Sequence, residues 1–92
     1  MLFRSKLFPL PREFANANLN TATFDKKGIL WFTGQAGVHG RVDPATGKVD
    51  AWRSPRPGSY GITSTPNGDV WFASLAGDFI GKIDTKIGRA HV

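Results

Sequence analysis

The sequence predicts an all-β protein built of β-propeller blades, each a four-stranded antiparallel sheet, and two observations carry that prediction. GILWFTGQAGVHGRVD at 28–43 returns as GDVWFASLAGDFIGKID at 68–84, forty positions on at Trp31 and Trp71 and forty-one on at Asp43 and Asp84. Both copies break into short apolar runs punctuated by Gly, Pro and Asn, and a period of about 40 residues made of short strands is that of a propeller blade.

Bulk properties remove several other classes. With 40% hydrophobic and 21% charged residues, the 92-residue chain has the composition of a folded domain rather than a disordered one. Its formal charge of +5 comes from 12 Lys and Arg against 7 Asp and Glu. No basic run exceeds the pair Lys26-Lys27, whereas a nucleic-acid footprint clusters its charge, so no nucleic-acid partner is expected. Cysteine is absent, which excludes disulfides and thiolate metal sites. No apolar run approaches the roughly 20 residues of a membrane span. The opening MLFRSKLFPLPREF interrupts its apolar patch with Pro9 and Pro11 and has no small-residue cleavage site, so it makes a poor signal peptide. A soluble segment without a membrane partner is expected, in a compartment the sequence does not specify.

Taken in order, KLFPLP at 6–11 reads as a short outermost strand closed by prolines, matched by VDAWRSP at 49–55 with Trp52 in the place of Phe8. Residues 19–24 and 59–64 read as innermost strands. In the first, Leu19, Thr21 and Thr23 face one way and Asn20, Ala22 and Phe24 the other. Small residues here (Ala22, Gly61, Thr63) suit strands converging on a central channel. Lys26-Lys27-Gly28 and Pro66-Asn67-Gly68 are hairpin turns, because Gly accepts positive φ.

The runs 29–32 and 70–73 are apolar on both faces and are expected to be buried on both. Third strands follow, with Val38, Gly40 and Val42 matched by Phe79, Gly81 and Ile83, and with Arg41 and Lys82 on the opposite, more exposed face. DPATG at 43–47 and DTKIG at 84–88 carry type I turn chemistry, in which the carboxylate accepts from backbone N–H groups. That accounts for Asp43 and Asp84 without a catalytic role.

The blade frame divides the chain into an outermost strand of a preceding blade (1–14), a complete blade (15–55) and a second blade cut short in its outermost strand (56–92). Closed propellers need about four to eight blades, and an open pair leaves apolar faces uncovered. The expected partners are therefore further blades of the same chain or other copies associating through the open sheets. The first is preferred, since the sequence stops inside a strand without a turn, cap or proline.

Trp31 and Trp71 are assigned to the core between blades, and Trp52 to a partly exposed outer strand. His39 is expected at a solvent-facing or rim position, because no second His or carboxylate recurs at ligand spacing; His91 supports no site. Tyr60, at the start of an inner strand near the channel mouth, is a candidate to stack on a ligand. Asn20 and Asn18 are candidates to line the channel or to cap turns. Arg56, with Arg53, falls among prolines on the connection between blades and is a candidate for an anion contact.

GITSTPNGDVWFA at 61–73, IGKID at 80–84 and GRVDPATG at 40–47 resemble the blade repeat of the virginiamycin B lyase, or streptogramin lyase, family. The resemblance covers most of the chain from Lys6 onward and implies about two blades of a seven-bladed propeller. It also implies a Mg²⁺-dependent carbon–oxygen lyase that linearises cyclic type B streptogramins by elimination, a reaction tied to antibiotic resistance.

In that family His and Glu on later blades supply the metal and acid–base groups. Where the family often has Glu after Trp-Phe-Thr, this chain has Gly34 and Ser74. Its one glutamate, Glu13, precedes the first inner strand. Mg²⁺ is thus implied for the family, and no catalytic or metal residue is assigned here. The segment alone is expected to be inactive. A non-catalytic propeller binding ligands or proteins, and a gluconolactonase-type metal-dependent hydrolase, are the alternatives, since one fold hosts many functions.

Overall fold

A computed structural model describes residues 6–91. After a 3-10 turn at Arg12–Phe14 come eight strands: β1 Leu19–Phe24, β2 Leu30–Gly34, β3 Val38–Val42, β4 Val49–Arg53, β5 Ser59–Ser64, β6 Val70–Ser74, β7 Ile80–Ile83 and β8 Ala90–His91. They form two four-stranded sheets in sequence order, β1-β2-β3-β4 and β5-β6-β7-β8, every neighbouring pair antiparallel. Each sheet is one blade. No helix among the described residues is long and apolar enough to cross a membrane.

The turns form for the reasons the sequence gives. Gly28 and Gly68 have φ of 80° and 96°, the left-handed region that only Gly enters without a steric cost. Asp43 Oδ1 accepts from the Ala45 amide at 2.9 Å, and Asp84 Oδ1 from the Lys86 amide at 3.0 Å. These bonds hold both aspartates as turn residues.

Packing between the sheets follows from register. Thr23, Trp31, Arg41 and Asp50 stand opposite one another across the first sheet, as do Thr33, His39 and Trp52. This face meets Ile62, Val70, Phe72, Ile83 and Ala90 of the second sheet, and Trp31, Val70, Phe72 and Ile83 form the buried core. Burying side chains of this size stabilises by about 1.5–3 kcal/mol each. Phe32 and Phe72 lie over Gly40 and Gly81, where any Cβ would collide with the ring.

Polar bonds run along the same seam. Thr21 and Thr33 hydroxyls both donate to the Tyr60 carbonyl. Ser64 Oγ donates to the Phe24 carbonyl at 2.6 Å, and Arg41 Nη1 to the Thr85 carbonyl at 3.2 Å. Arg41 also pairs with Asp50 at 3.1 Å and lies over the Trp31 and Trp52 rings. Among the described residues no buried side-chain N or O atom lacks a partner.

Four expectations are corrected. Residues 6–11 form no strand: Pro9 and Pro11 withhold two donors, and no third strand of a preceding blade is present among the described residues to pair with. Their position is nonetheless blade-like, since Phe8 stands 3.7 Å from where a Gly47 Cβ would be, as the Trp52 ring stands against Gly88.

Trp71 is 37% exposed where Trp31 is 1%, because β6 is covered on one face only, whereas β2 is covered on both. Asp25 accepts from Trp31 Nε1 at 2.8 Å, whereas Thr65 stands at the equivalent turn position of the second blade. Arg41 and Lys82 share a face as expected, but Arg41 is half-buried between the sheets while Lys82 is exposed.

The fourth correction is His39, which is 0% exposed rather than on the rim. Its ring fits between Trp52 and Phe72, with centroids 5.7 and 6.0 Å away and near-parallel planes. Trp52 itself is half-buried, as expected.

Candidate functional site

The antiparallel order places the connections before β1, between β2 and β3, between β4 and β5, and between β6 and β7 on one rim. Backbone bonds stitch it together: the Gln35 amide donates to the Asn18 carbonyl at 2.9 Å, the Gly58 amide to the Gln35 carbonyl at 3.0 Å, and the Leu75 amide to the Gly58 carbonyl at 2.9 Å. Asn18, Tyr60 and Arg56 all belong to this rim.

Asn20 and Tyr60 hold equivalent places in it. The pairing of β1 with β2 slips between Leu19 and Ala22, and that of β5 with β6 between Ser59 and Ile62. Each inner strand therefore bulges at the same point, and bulges re-aim side chains at sheet rims. Tyr60 is exposed while its carbonyl is fixed by the two threonine hydroxyls.

Asn18 has φ of 57° and donates from Nδ2 to Gln35 Oε1 at 3.2 Å, so it caps the rim turn. Arg56 lies over the Phe79 ring, 5.7 Å from its centroid. Arg53 donates to the Glu13 carbonyl at 3.0 Å and lies over Phe14. Asn20 borders an apolar cleft with Leu7, Phe8, Leu30 and Phe32. The four candidates thus share a rim, but no hydrogen bond joins any two of them. Between them they carry a phenol, two carboxamides and a guanidinium.

Among the described residues, an imidazole paired with a hydroxyl lies elsewhere, with both ring nitrogens bonded. Gly88's carbonyl only accepts, so His39 Nε2 carries the proton donated to it at 2.6 Å, and Nδ1 accepts from Ser54 Oγ at 3.0 Å. Ser59 Oγ donates to Ser54 Oγ at 2.9 Å. Burial pushes the His39 pKa below its ordinary 6.5, with the Gly88 bond opposing the shift.

A serine hydroxyl aimed at an oriented imidazole has the form of a nucleophile and its base. With no part of the ring exposed, no substrate atom reaches it, and the arrangement is a strut between blades. Ile80 at the equivalent position was the available sign that His39 is buried.

Mg²⁺ does not fit these residues. Among the described residues no group of three His, Asp or Glu is placed to hold a metal ion. Asp25 is taken by the Lys27 and Ile29 amides and the Trp31 indole, and Asp50 by Arg41.

Sheet order, bulged inner strands and the rim define the class: two adjacent blades of a β-propeller. No family model and no curated protein matches the sequence. Among solved structures, the crystal structure of selenomethionine-substituted virginiamycin B lyase from Staphylococcus aureus matches with a TM-score of 0.73 and 35% identity, over 82% of this chain and 26% of that one. The resemblance to the virginiamycin B lyase blade carried by the sequence therefore extends to the backbone. This chain spans about a quarter of that lyase's length.

Proposed function

We propose that these two blades serve as scaffold and rim of a virginiamycin B lyase-like propeller that linearises type B streptogramins by carbon–oxygen elimination. The match at 35% identity over 82% of the chain supports this reading. In it, Tyr60 and Asn20, from the two bulges, and Asn18 and Arg56, from the adjoining loops, contact the ligand at the rim. The metal and the acid–base groups come from blades other than these two.

A chimera tests this, with residues 6–91 replacing the matched quarter of virginiamycin B lyase. Expected are retained ring opening by the chimera and none by the 92-residue chain. A folded chimera that neither binds nor opens the antibiotic refutes the reading. Retained activity that is indifferent to Tyr60→Ala and Asn20→Ala together refutes the rim assignment alone.

A further inference from the structure

Tyr60 stands where the strand ladder does not hold it. The register of β5 on β6 slips between Ser59 and Ile62, so the residue lies in the bulge, exposed at the rim. Side chains take over what the ladder leaves out. Thr21 and Thr33 fix the Tyr60 carbonyl, and the residue before it is tied by Ser59 Oγ, which donates to Ser54 Oγ at 2.9 Å.

Beyond Ser54 the bonds run inward. Ser54 Oγ donates to His39 Nδ1 at 3.0 Å, and His39 Nε2 donates to the Gly88 carbonyl at 2.6 Å. Ser59 and His39 are both fully buried, so solvent does not compete for these bonds. Every member of the series lies within the two blades or the loop joining them. The repeat does not carry it elsewhere: Leu10 and Leu19 hold the places of Ser54 and Ser59 in the first blade, and Ile80 holds that of His39 in the second. Of the two bulge residues, Asn20 and Tyr60, the aromatic one is backed by hydroxyls and an imidazole.

We propose that His39 and Ser54 are positioning residues for Tyr60, acting through Ser59, so that the charge on His39 sets how the tyrosine is presented to a ligand at the rim. What Tyr60 contacts rests on the function proposed above; the coupling of His39 to Tyr60 does not.

The donor count gives the coupling a direction. A neutral imidazole donates from one nitrogen and accepts at the other, whereas the imidazolium donates from both. Nε2 donates to the Gly88 carbonyl in either state, so that end is unchanged. Nδ1 turns from acceptor to donor, and the Ser54 proton loses its acceptor. Ser54 regains one by turning its proton to Ser59 Oγ, which drives the Ser59 proton off Ser54. A buried hydroxyl without an acceptor is costly, so the change falls on Ser59 and the backbone leading into Tyr60. The carbonyl beyond stays held by two threonines that do not titrate.

Among the described residues the imidazole bonds only Ser54 and Gly88. Of the charged groups on the elements around it, Arg41 and Asp50 pair with each other at 3.1 Å, Arg53 donates to the Glu13 carbonyl, and Arg56 lies over Phe79. Asp84 accepts from the Lys86 and Ile87 amides, and Lys82 lies 3.6 Å from Asp69. Lys86 and Arg89, on either side of Gly88, are exposed. His91 of β8 pairs with Lys82 in the ladder.

Tyr60 is the chain's one tyrosine, so a ring-labelled tyrosine reports on it alone in NMR, and the His39 signal is told from that of His91 by its absence in His39→Gln. Both are followed in the folded 92-residue chain from about pH 7.5 down to about 5. Expected is a shift of the Tyr60 signal with the same midpoint as that of His39, below 6.5. The shift is expected to vanish in Ser54→Ala, where His39 still titrates, and in His39→Gln, which keeps a donor and an acceptor without a titrating group. A Tyr60 signal that stays still while His39 titrates, one that follows His39 even in Ser54→Ala, or a His39 that does not titrate in the folded chain overturns the proposal. The ligand is read separately in the chimera, where Ser54→Ala is expected to raise KM for the antibiotic and leave kcat unchanged. An unchanged KM beside a coupled Tyr60 signal supports the positioning and refutes the rim contact.

Discussion

His39→Ile is the most informative single substitution, because it places in the first blade the residue the second blade already has at that position. The isoleucine keeps apolar volume between Trp52 and Phe72 but leaves the buried Gly88 carbonyl without the bond it receives at 2.6 Å. An unsatisfied buried acceptor costs about 1–3 kcal/mol. Losing the two ring contacts adds about 1 kcal/mol or more. A loss of about 2–4 kcal/mol is large against the roughly 5–14 kcal/mol expected of a domain this size.

The histidine also confers a pH dependence with a defined sign. Burial holds its folded pKa below the ordinary 6.5, so between those two values the unfolded chain binds more protons than the folded one. Stability from this group is complete above about pH 6.5 and falls as pH drops towards the folded pKa, by at most about 1.4 kcal/mol per pH unit. Position 39 contributes no such slope once it is isoleucine. His91 is common to both chains and cancels in the difference.

Urea unfolding followed by tryptophan fluorescence, at one fixed chain concentration, measures both effects. The wild-type advantage is expected to be about 2–4 kcal/mol near pH 7.5 and to shrink as the solution is acidified through the window below 6.5. An advantage that is the same at both ends of that window refutes the assignment of His39 as a buried neutral strut.

Four further outcomes follow from the packing. Asp25→Ala removes the acceptor of two amides and the Trp31 indole and is expected to cost about 2–3 kcal/mol in the same urea assay. Thr65→Ala at the matching turn is expected to cost under about 1 kcal/mol, since no indole depends on it. Gly40→Ala places a Cβ against the Phe32 ring and 2.6 Å from the Asp50 carbonyl oxygen; a thermal melt should show at least about 1–3 kcal/mol of overpacking. Arg41→Lys keeps the charge but loses the planar group shared between Asp50 and the Thr85 carbonyl, so a loss of about 1 kcal/mol is expected, smaller than that of Arg41→Ala in parallel unfolding curves.

The strands, turns and blade period were legible in the sequence because each rests on local chemistry: Gly at positive φ, Asp before its turn, apolar runs at forty-residue spacing. What escaped it depends on what lies across the sheet. Residues 6–11 carry strand residues, but a strand exists only with a neighbour, and the two prolines narrow the choice of neighbour further. Trp31 and Trp71 sit in identical local patterns and differ only in whether another sheet lies above them. The rim candidates were found because bulge and turn residues announce themselves; that they do not converge is a matter of loop path.

His39 was misplaced because its partners, Ser54 and Gly88, are far away in sequence. The two copies nonetheless recorded the answer in how they diverge. Thr21 against Gly61, Thr33 against Ala73 and His39 against Ile80 are three exchanges of a polar side chain for one without a donor, all on the same face. On the covered face these groups meet fixed carbonyls of the neighbouring blade, whose backbone orientation gives them acceptors. A donor without such an acceptor would be costly once buried, so each face is suited to the neighbour it packs against.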